Sequence, residues 1–219
     1  MNDADLIENP QIFAASFLYI LDKEKRLVPF RWNKAQAHFY HNMTGRDIIL
    51  KARQLGFSTL VQGEMFRRTV TSTQTTITLA HDAETTQKLR RMADRFYGHC
   101  KFGDIQPQRK YANATLATYP EFDSTATIAT AGNVETGRGD TYTMMHGSEV
   151  AFWKDAEKIV AGAMQGGSPA VILESSQTAH RVIFTSGQWK HYMGMGYGNF
   201  ISTPGGGMKI MPLKFRTMG

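Results

Sequence analysis

The spacing of apolar positions along this chain changes several times, and each change marks an element. Ile12, Phe13, Phe17, Leu18 and Leu21 recur at helical spacing behind Asn9-Pro10, a capping residue and a first-turn proline, so residues 1–45 are expected to be mainly helical. Lys23 to Arg26 is expected to be a short basic connector within that segment. Ile48-Ile49-Leu50 is a continuous apolar run that predicts a buried strand, and Leu60 to Val70 follows as a helix. Thr75 to Leu79 alternates like a strand, and a helix carrying Leu89, Met92 and Phe96 comes next. Ala114 to Thr118 and Ser124 to Thr130 predict short strands in a polar stretch, and Val171-Ile172-Leu173 a further buried strand. Strand–helix–strand–helix order implies parallel strands joined by crossovers, hence an α/β domain with a mainly parallel sheet flanked by helices.

Candidate chemistry is concentrated between the first buried strand and the helix after it. In Ile48 to Thr59 an apolar strand runs into a turn at Gly56 and then into Ser58-Thr59, the layout of a phosphate-binding loop. Backbone N–H groups and the helix N-terminus would face a triphosphate, and the hydroxyl of Ser58 or Thr59 would ligate Mg²⁺. Against G-x-x-x-x-G-K-[ST] the fit is partial, because Lys51 stands at the first glycine and Phe57 at the usual lysine. Lys51 or Arg53 would then supply the cation for the β- and γ-phosphates. An ordinary strand–turn–helix shares this outline.

Read as Arg53-Gln54-Leu55-Gly56-Phe57-Ser58-Thr59, the loop resembles the deviant Walker A form R-Q-x-G-x-S-T of the large terminase subunit of tailed bacteriophages, over roughly residues 10 to 176. The resemblance implies a P-loop NTPase, an ATPase motor driving DNA into a capsid. It makes Gln36 the reader of adenine, with Phe30 or Trp32 packing nearby. Arg138, in Gly137-Arg138-Gly139, becomes a trans-acting or sensing cation. In Met144-Met145-His146-Gly147-Ser148-Glu149, Glu149 stands where the water-activating carboxylate belongs, and Ser148 where an aspartate usually anchors the metal. His146, alone on a strand, reads as structural. Glu174-Ser175 resembles the start of the coupling motif E-S-T-A-N-G. The implied cofactors are ATP and Mg²⁺. The implied partners are double-stranded DNA, the portal protein and the small terminase subunit, with a homo-oligomeric ring in the host bacterial cytoplasm.

Composition adds limits. With 219 residues and 42% hydrophobic content the chain can build one sizeable domain. A net charge of +6 favours a polyanionic partner, and Lys88, Arg90, Arg91 and Arg95 make the second helix a basic surface able to follow a DNA backbone. Cys100 is the single cysteine, which rules out an intrachain disulfide and a cysteine metal cluster. No apolar run is long enough for a membrane span, so no membrane partner is expected. The organisation read from the sequence is therefore a helical, adenine-binding segment over 1–45, an ATPase core over 46–176 and an irregular tail over 177–219. That tail is rich in glycine and methionine. A one-base shift near Ser176, with suitable synonymous codons, restores Glu-Ser-Thr-Ala-Asn-Gly and an amphipathic continuation, so the tail reads as translated out of frame; a genuine Gly-rich tail is the alternative. The length leaves no room for a nuclease domain, and no nuclease activity is expected. Two other readings stay open: an inactive prophage remnant or nucleotide-binding module without turnover, and a fragment of a helicase-like nucleic-acid translocase.

Overall fold

The computed structural model describes residues 3–51, 55–102, 106–111, 114–132, 141–163, 170–176, 199–202 and 209–212. Helix α1 (Asp3–Glu8) leads to α2 (Pro10–Phe17), which is capped as its sequence demands: the Asn9 side chain accepts from the N–H groups of Gln11 and Ile12 at 3.0 and 3.1 Å. The first 45 residues are not all helical, however. Strands β1 (Tyr19–Leu21) and β2 (Leu27–Pro29) form an antiparallel hairpin, and the basic connector is its turn. Asp22 closes that turn by accepting from Arg26 N and Nε, each at 2.8 Å. Tyr19-Ile20-Leu21 and Leu27-Val28 carry the aromatic and β-branched residues that prefer a pleated surface, and this overrides the helical spacing.

After α3 (Lys34–Asn42), the buried carboxylate of Asp47 accepts from Thr44 N and Oγ1 and from Gly45 N, fixing the turn into β3 (Arg46–Lys51). Then come α4 (Phe57–Thr69), β4 (Thr75–Ala80) and α5 (Ala83–His99), α5 capped by Asp82. Strands β5 (Lys110–Tyr111), β6 (Leu116–Tyr119) and β7 (Ser124–Thr130) follow, and then β8 (Met144–Ser148), α6 (Ala156–Ala163) and β9 (Ala170–Ser176). The expected irregular tail is corrected at two places, because β10 (Asn199–Ser202) pairs parallel to β3 and β11 (Lys209–Pro212) antiparallel to β10. The apolar β3 thus has a strand on each side. Most of the stretch read as out of frame (177–198, 203–208, 213–219) lies outside the described residues.

Among the described residues the sheet runs β11-β10-β3-β9-β8-β4-β7-β6-β5, parallel from β10 to β7 and antiparallel at both ends. Alternate residues of its central strands enter opposite cores. Ile49, Met144 and Ile172 pack with Phe13, Phe39, Phe57, Leu60 and Phe66 from the helices, while Ile48, Met145, Val171 and Leu173 pack with Val150, Trp153, Ile159 and Val160. Strands β3 and β9 carry the continuous apolar runs that burial on both faces favours, whereas β4 and β8 also bury Thr76, Thr78, His146 and Ser148. Late in the chain, β9 inserts between β3 and β8 and sets Ile48 against Leu173 and Ser148 against Glu174.

Candidate nucleotide site

The chain leaves β3 at Lys51 and re-enters regular structure at Gly56, whose φ of +73° and ψ of +20° are left-handed. Glycine is suited to this conformation, and here space also requires it: a Cβ would lie 2.7 Å from Gln36 Nε2. Gln36 is 3% exposed. Its Oε1 accepts from Asn33 N at 2.9 Å, completing a capping box on α3, and its Nε2 donates to the Gly56 carbonyl at 2.7 Å. Asn33 Nδ2 reaches Leu55 O at 3.2 Å. In this structure, then, the Gln36 amide latches the loop and caps its own helix. Phe30 is buried and stacks on Phe96 in the core, whereas Trp32 packs on Tyr40. Arg53, Gln54 and Arg138 lie outside the described residues, and only the backbone of Lys51 is described.

Ser58 and Thr59 occupy the first turn of α4, where the unpaired N–H groups of a helix start favour anions. Ser58 Oγ donates to Glu174 Oε1, which also accepts from Ser148 Oγ at 3.0 Å. A serine in the loop helix, a serine ending β8 and a glutamate in β9 thereby share one oxygen. Glu174 is 1% exposed, at the C-terminal ends of parallel strands. Behind it, His146 Nε2 stands 3.3 Å away, outside hydrogen-bond alignment, while His146 Nδ1 lies 2.8 Å from Gln62 Nε2. Gln62 also donates to Thr78 Oγ1 at 2.8 Å, tying α4 to β4 and β8. With Nδ1 facing the Gln62 amide and Nε2 facing Glu174, the buried ring lies between the two side chains.

Glu149 follows β8 directly with φ +54° and ψ +48°, a left-handed conformation rare for a residue with a Cβ. The surroundings impose it. Trp153 Nε1 donates to the Ser148 carbonyl at 3.0 Å, Phe152 N donates to the Glu149 carbonyl at 3.0 Å, and Gly147 packs so closely that a Cβ would meet Leu173 Cδ2 at 2.7 Å and Val150 Cγ2 at 2.8 Å. A half-buried glutamate therefore directly follows Ser148 at the strand end.

Sequence reasoning named Ser58, Ser148, Glu149 and Glu174 separately, and the structure gathers Ser58, Ser148 and Glu174 onto one oxygen. It missed Gln62 and Thr78. The available signal was a glutamine directly after Leu60-Val61 on the helix that follows the loop, since a glutamine buried there demands a polar partner. His146, read as structural, is buried as expected, but it stands directly behind Glu174.

A parallel sheet with a glycine-led loop entering a helix, and a strand inserted between the loop strand and the strand ending in the acidic turn, is the P-loop-type ATPase fold. No family model matches the sequence, and no curated protein matches it by sequence. The large terminase of bacteriophage HK97 is similar in structure, with a TM-score of 0.67 at 16% identity over 87% of this chain and 42% of that protein. The ATPase domain of the Thermus phage P74-26 large terminase has a TM-score of 0.55 at 12% identity, covering 67% of this chain and 65% of the other. The bacteriophage T4 UvsW helicase has a TM-score of 0.53 at 11% identity, covering 84% and 62%. The chain thus shares its fold with phage terminase ATPase domains and spans less than half the length of the HK97 protein.

Proposed function

We propose that this chain is an ATP-hydrolysing motor domain of the kind that drives DNA into phage capsids, acting in a ring on double-stranded DNA with portal and small-subunit partners. The observation that carries the reading is the meeting of Ser58, Ser148 and Glu174 at the head of the loop helix. These are oxygen donors, the set a small hard cation accepts, and Mg²⁺ takes only one or two protein oxygens beside phosphates and water. When bound, Mg²⁺ neutralises charge on the β- and γ-phosphates. Ser58, with Thr59 beside it, would hold the ion, and Glu174 would orient the Ser58 hydroxyl from behind. The N–H groups from Gly56 onward, with Phe57 and Gln54, would cradle the phosphates, and Lys51 and Arg53 would add positive charge.

Glu149, fixed at the end of β8, would orient the attacking water and take its proton. Arg138 would stabilise charge developing on the γ-phosphoryl group. Gln36 would set the height of the loop through Gly56 and read adenine as that bond exchanges. Glu174 and Ser175 would pass the phosphate state on to the sheet. Serine in place of aspartate at position 148 favours one alternative, a nucleotide-binding module without turnover.

ATP turnover by the purified chain with Mg²⁺, measured beside Glu149→Ala, decides between them. Turnover that falls by about 100-fold or more in the variant is expected for a lost general base. Wild-type chain that binds ATP and hydrolyses none of it establishes the alternative.

A further inference from the structure

Far along the sheet from the phosphate loop, a cavity of about 420 Å³ opens between the middle of α5 and β5–β7. Ala93, Ala117 and Ala126 give it a small apolar floor. Its rim is organised by one arginine. The Arg109 guanidinium lies 3.8 Å from the Tyr97 ring centroid and 4.6 Å from that of Tyr111, and its Nη1 bonds Asp94 Oδ1 at 2.9 Å. The Tyr111 hydroxyl donates to the same carboxylate oxygen at 2.6 Å. Tyr111 is thus tethered at its hydroxyl and packed on a cation, yet it stays 58% exposed. An aromatic ring that is both fixed and open costs little further entropy when a planar group stacks on it.

The charge around the cavity is positive. Arg90 lines it and, like Arg91 and Arg95 on the same helix, forms no ion pair among the described residues. A ligand matched to these features has a planar aromatic part and an adjoining anion, which is the chemistry of a nucleotide. Arg91 and Arg95 add positive charge to the same helix outside the cavity lining, which favours a polyanionic strand over a free mononucleotide. From β7 to β3 is four strand steps, roughly 20 Å, so this cavity is separate from the nucleotide site.

We propose that the cavity is a single-strand subsite: it takes one unpaired nucleotide of DNA, with the base stacked on Tyr111 and the adjoining phosphodiester against Arg90. The test is fluorescence anisotropy of a labelled oligothymidine of about a dozen nucleotides, within the site sizes usual for such surfaces, against a duplex of equal length. The full chain is compared with Tyr111→Ala, Tyr111→Phe and Arg90→Ala. Tyr111→Ala is expected to weaken single-strand binding by about fivefold or more and to leave duplex binding within about twofold, while Tyr111→Phe, which keeps the ring, stays near wild type. Arg90→Ala, a surface change that leaves the fold intact, is expected to lower the slope of log affinity against log salt by about one. A folded Tyr111→Ala chain that binds the single strand as wild type does, or an equal loss on duplex, overturns the proposal. Competition by thymidine monophosphate as strong as by the oligonucleotide, compared per nucleotide, overturns the strand in favour of a free nucleotide. ATP turnover is read separately and bears on neither outcome.

Discussion

Replacing Glu174 by glutamine separates what this residue does for the fold from what it does for the site. Glutamine keeps the shape and keeps Oε1, so the Ser58 hydroxyl and the Ser148 hydroxyl, 3.0 Å away, still have an acceptor. Each bond loses its charge assistance, a difference of about 1 kcal/mol, so roughly 2 kcal/mol is lost for the two. Against this, a side chain 1% exposed no longer carries a charge whose removal from water costs several kcal/mol. The opposing effects leave a net change within about 2 kcal/mol, a Tm shift of at most about 8 °C for a domain of this size. Magnesium-dependent turnover should fall much further. A partner that orients a metal-binding hydroxyl typically contributes 10–100-fold in metal affinity or activity, about 1.4–2.7 kcal/mol of binding. The assay is a magnesium titration of ATP turnover beside a thermal melt of the same preparation. Unchanged magnesium dependence would refute the reasoning, as would a stability loss above about 4 kcal/mol with normal turnover, which would make the cluster a packing feature.

Gly56→Ala forces a Cβ into left-handed backbone and to within 2.7 Å of Gln36 Nε2, so it should destabilise the chain by about 1–2 kcal/mol and weaken ATP binding. Combined with Gln36→Ala the loss should be less than additive in denaturant melts, because the clash and the latch are one contact; strict additivity would refute the latch. Glu64 is buried on α4 and bonds Arg67 Nε at 2.9 Å and Arg68 Nε at 2.6 Å. Burial pushes its carboxyl up, but the bonds and charges of Arg67 and Arg68 outweigh it and hold the carboxyl below its ordinary 4.5. A depressed carboxyl stabilises the fold above its unfolded value and loses that contribution as pH falls through the folded one, so wild type should weaken below about pH 4.5. Glu64→Gln should cost about 2 kcal/mol at pH 7 and flatten that acid limb in pH-dependent melts.

Elements held by local signals were legible in the sequence. The apolar spacing of α4 and α5, the cap at Asn9, the alternation of β4 and the short strand β7 all depend on neighbours a few residues away, and all stand where expected. The hairpin β1–β2 was hidden because three-residue strands carry almost no period. In β10 the apolar pair Phe200-Ile201 lies among glycines, and its pairing with β3 is decided by an edge about 150 residues upstream, at the range where propensity is silent. The candidate site divides in the same way. The glycine turn and Ser58-Thr59 are visible as a local motif, whereas the bond from Ser58 to Glu174 spans a sequence separation of 116 and follows only from β9 entering between β3 and β8.

That insertion bears on the feature of the sequence that fitted a phosphate-loop ATPase least well, a serine at position 148. Taken strand by strand, β8 lacks a carboxylate at its end. Across the sheet it does not, because Ser148 faces Glu174 and the two side chains are 3.0 Å apart. An aspartate at 148 would set two carboxylates against each other in a buried place, with a repulsion of about 4 kcal/mol at 4 Å for an effective dielectric of 20. Such a pair either shares a proton or opens the strands. Serine gives a donor where a second acceptor would repel, and one carboxylate then serves Ser58 on the loop helix and Ser148 on the strand together. Glu174 on β9 and the serine that closes β8 are therefore one hydrogen-bonded unit, divided between two strands.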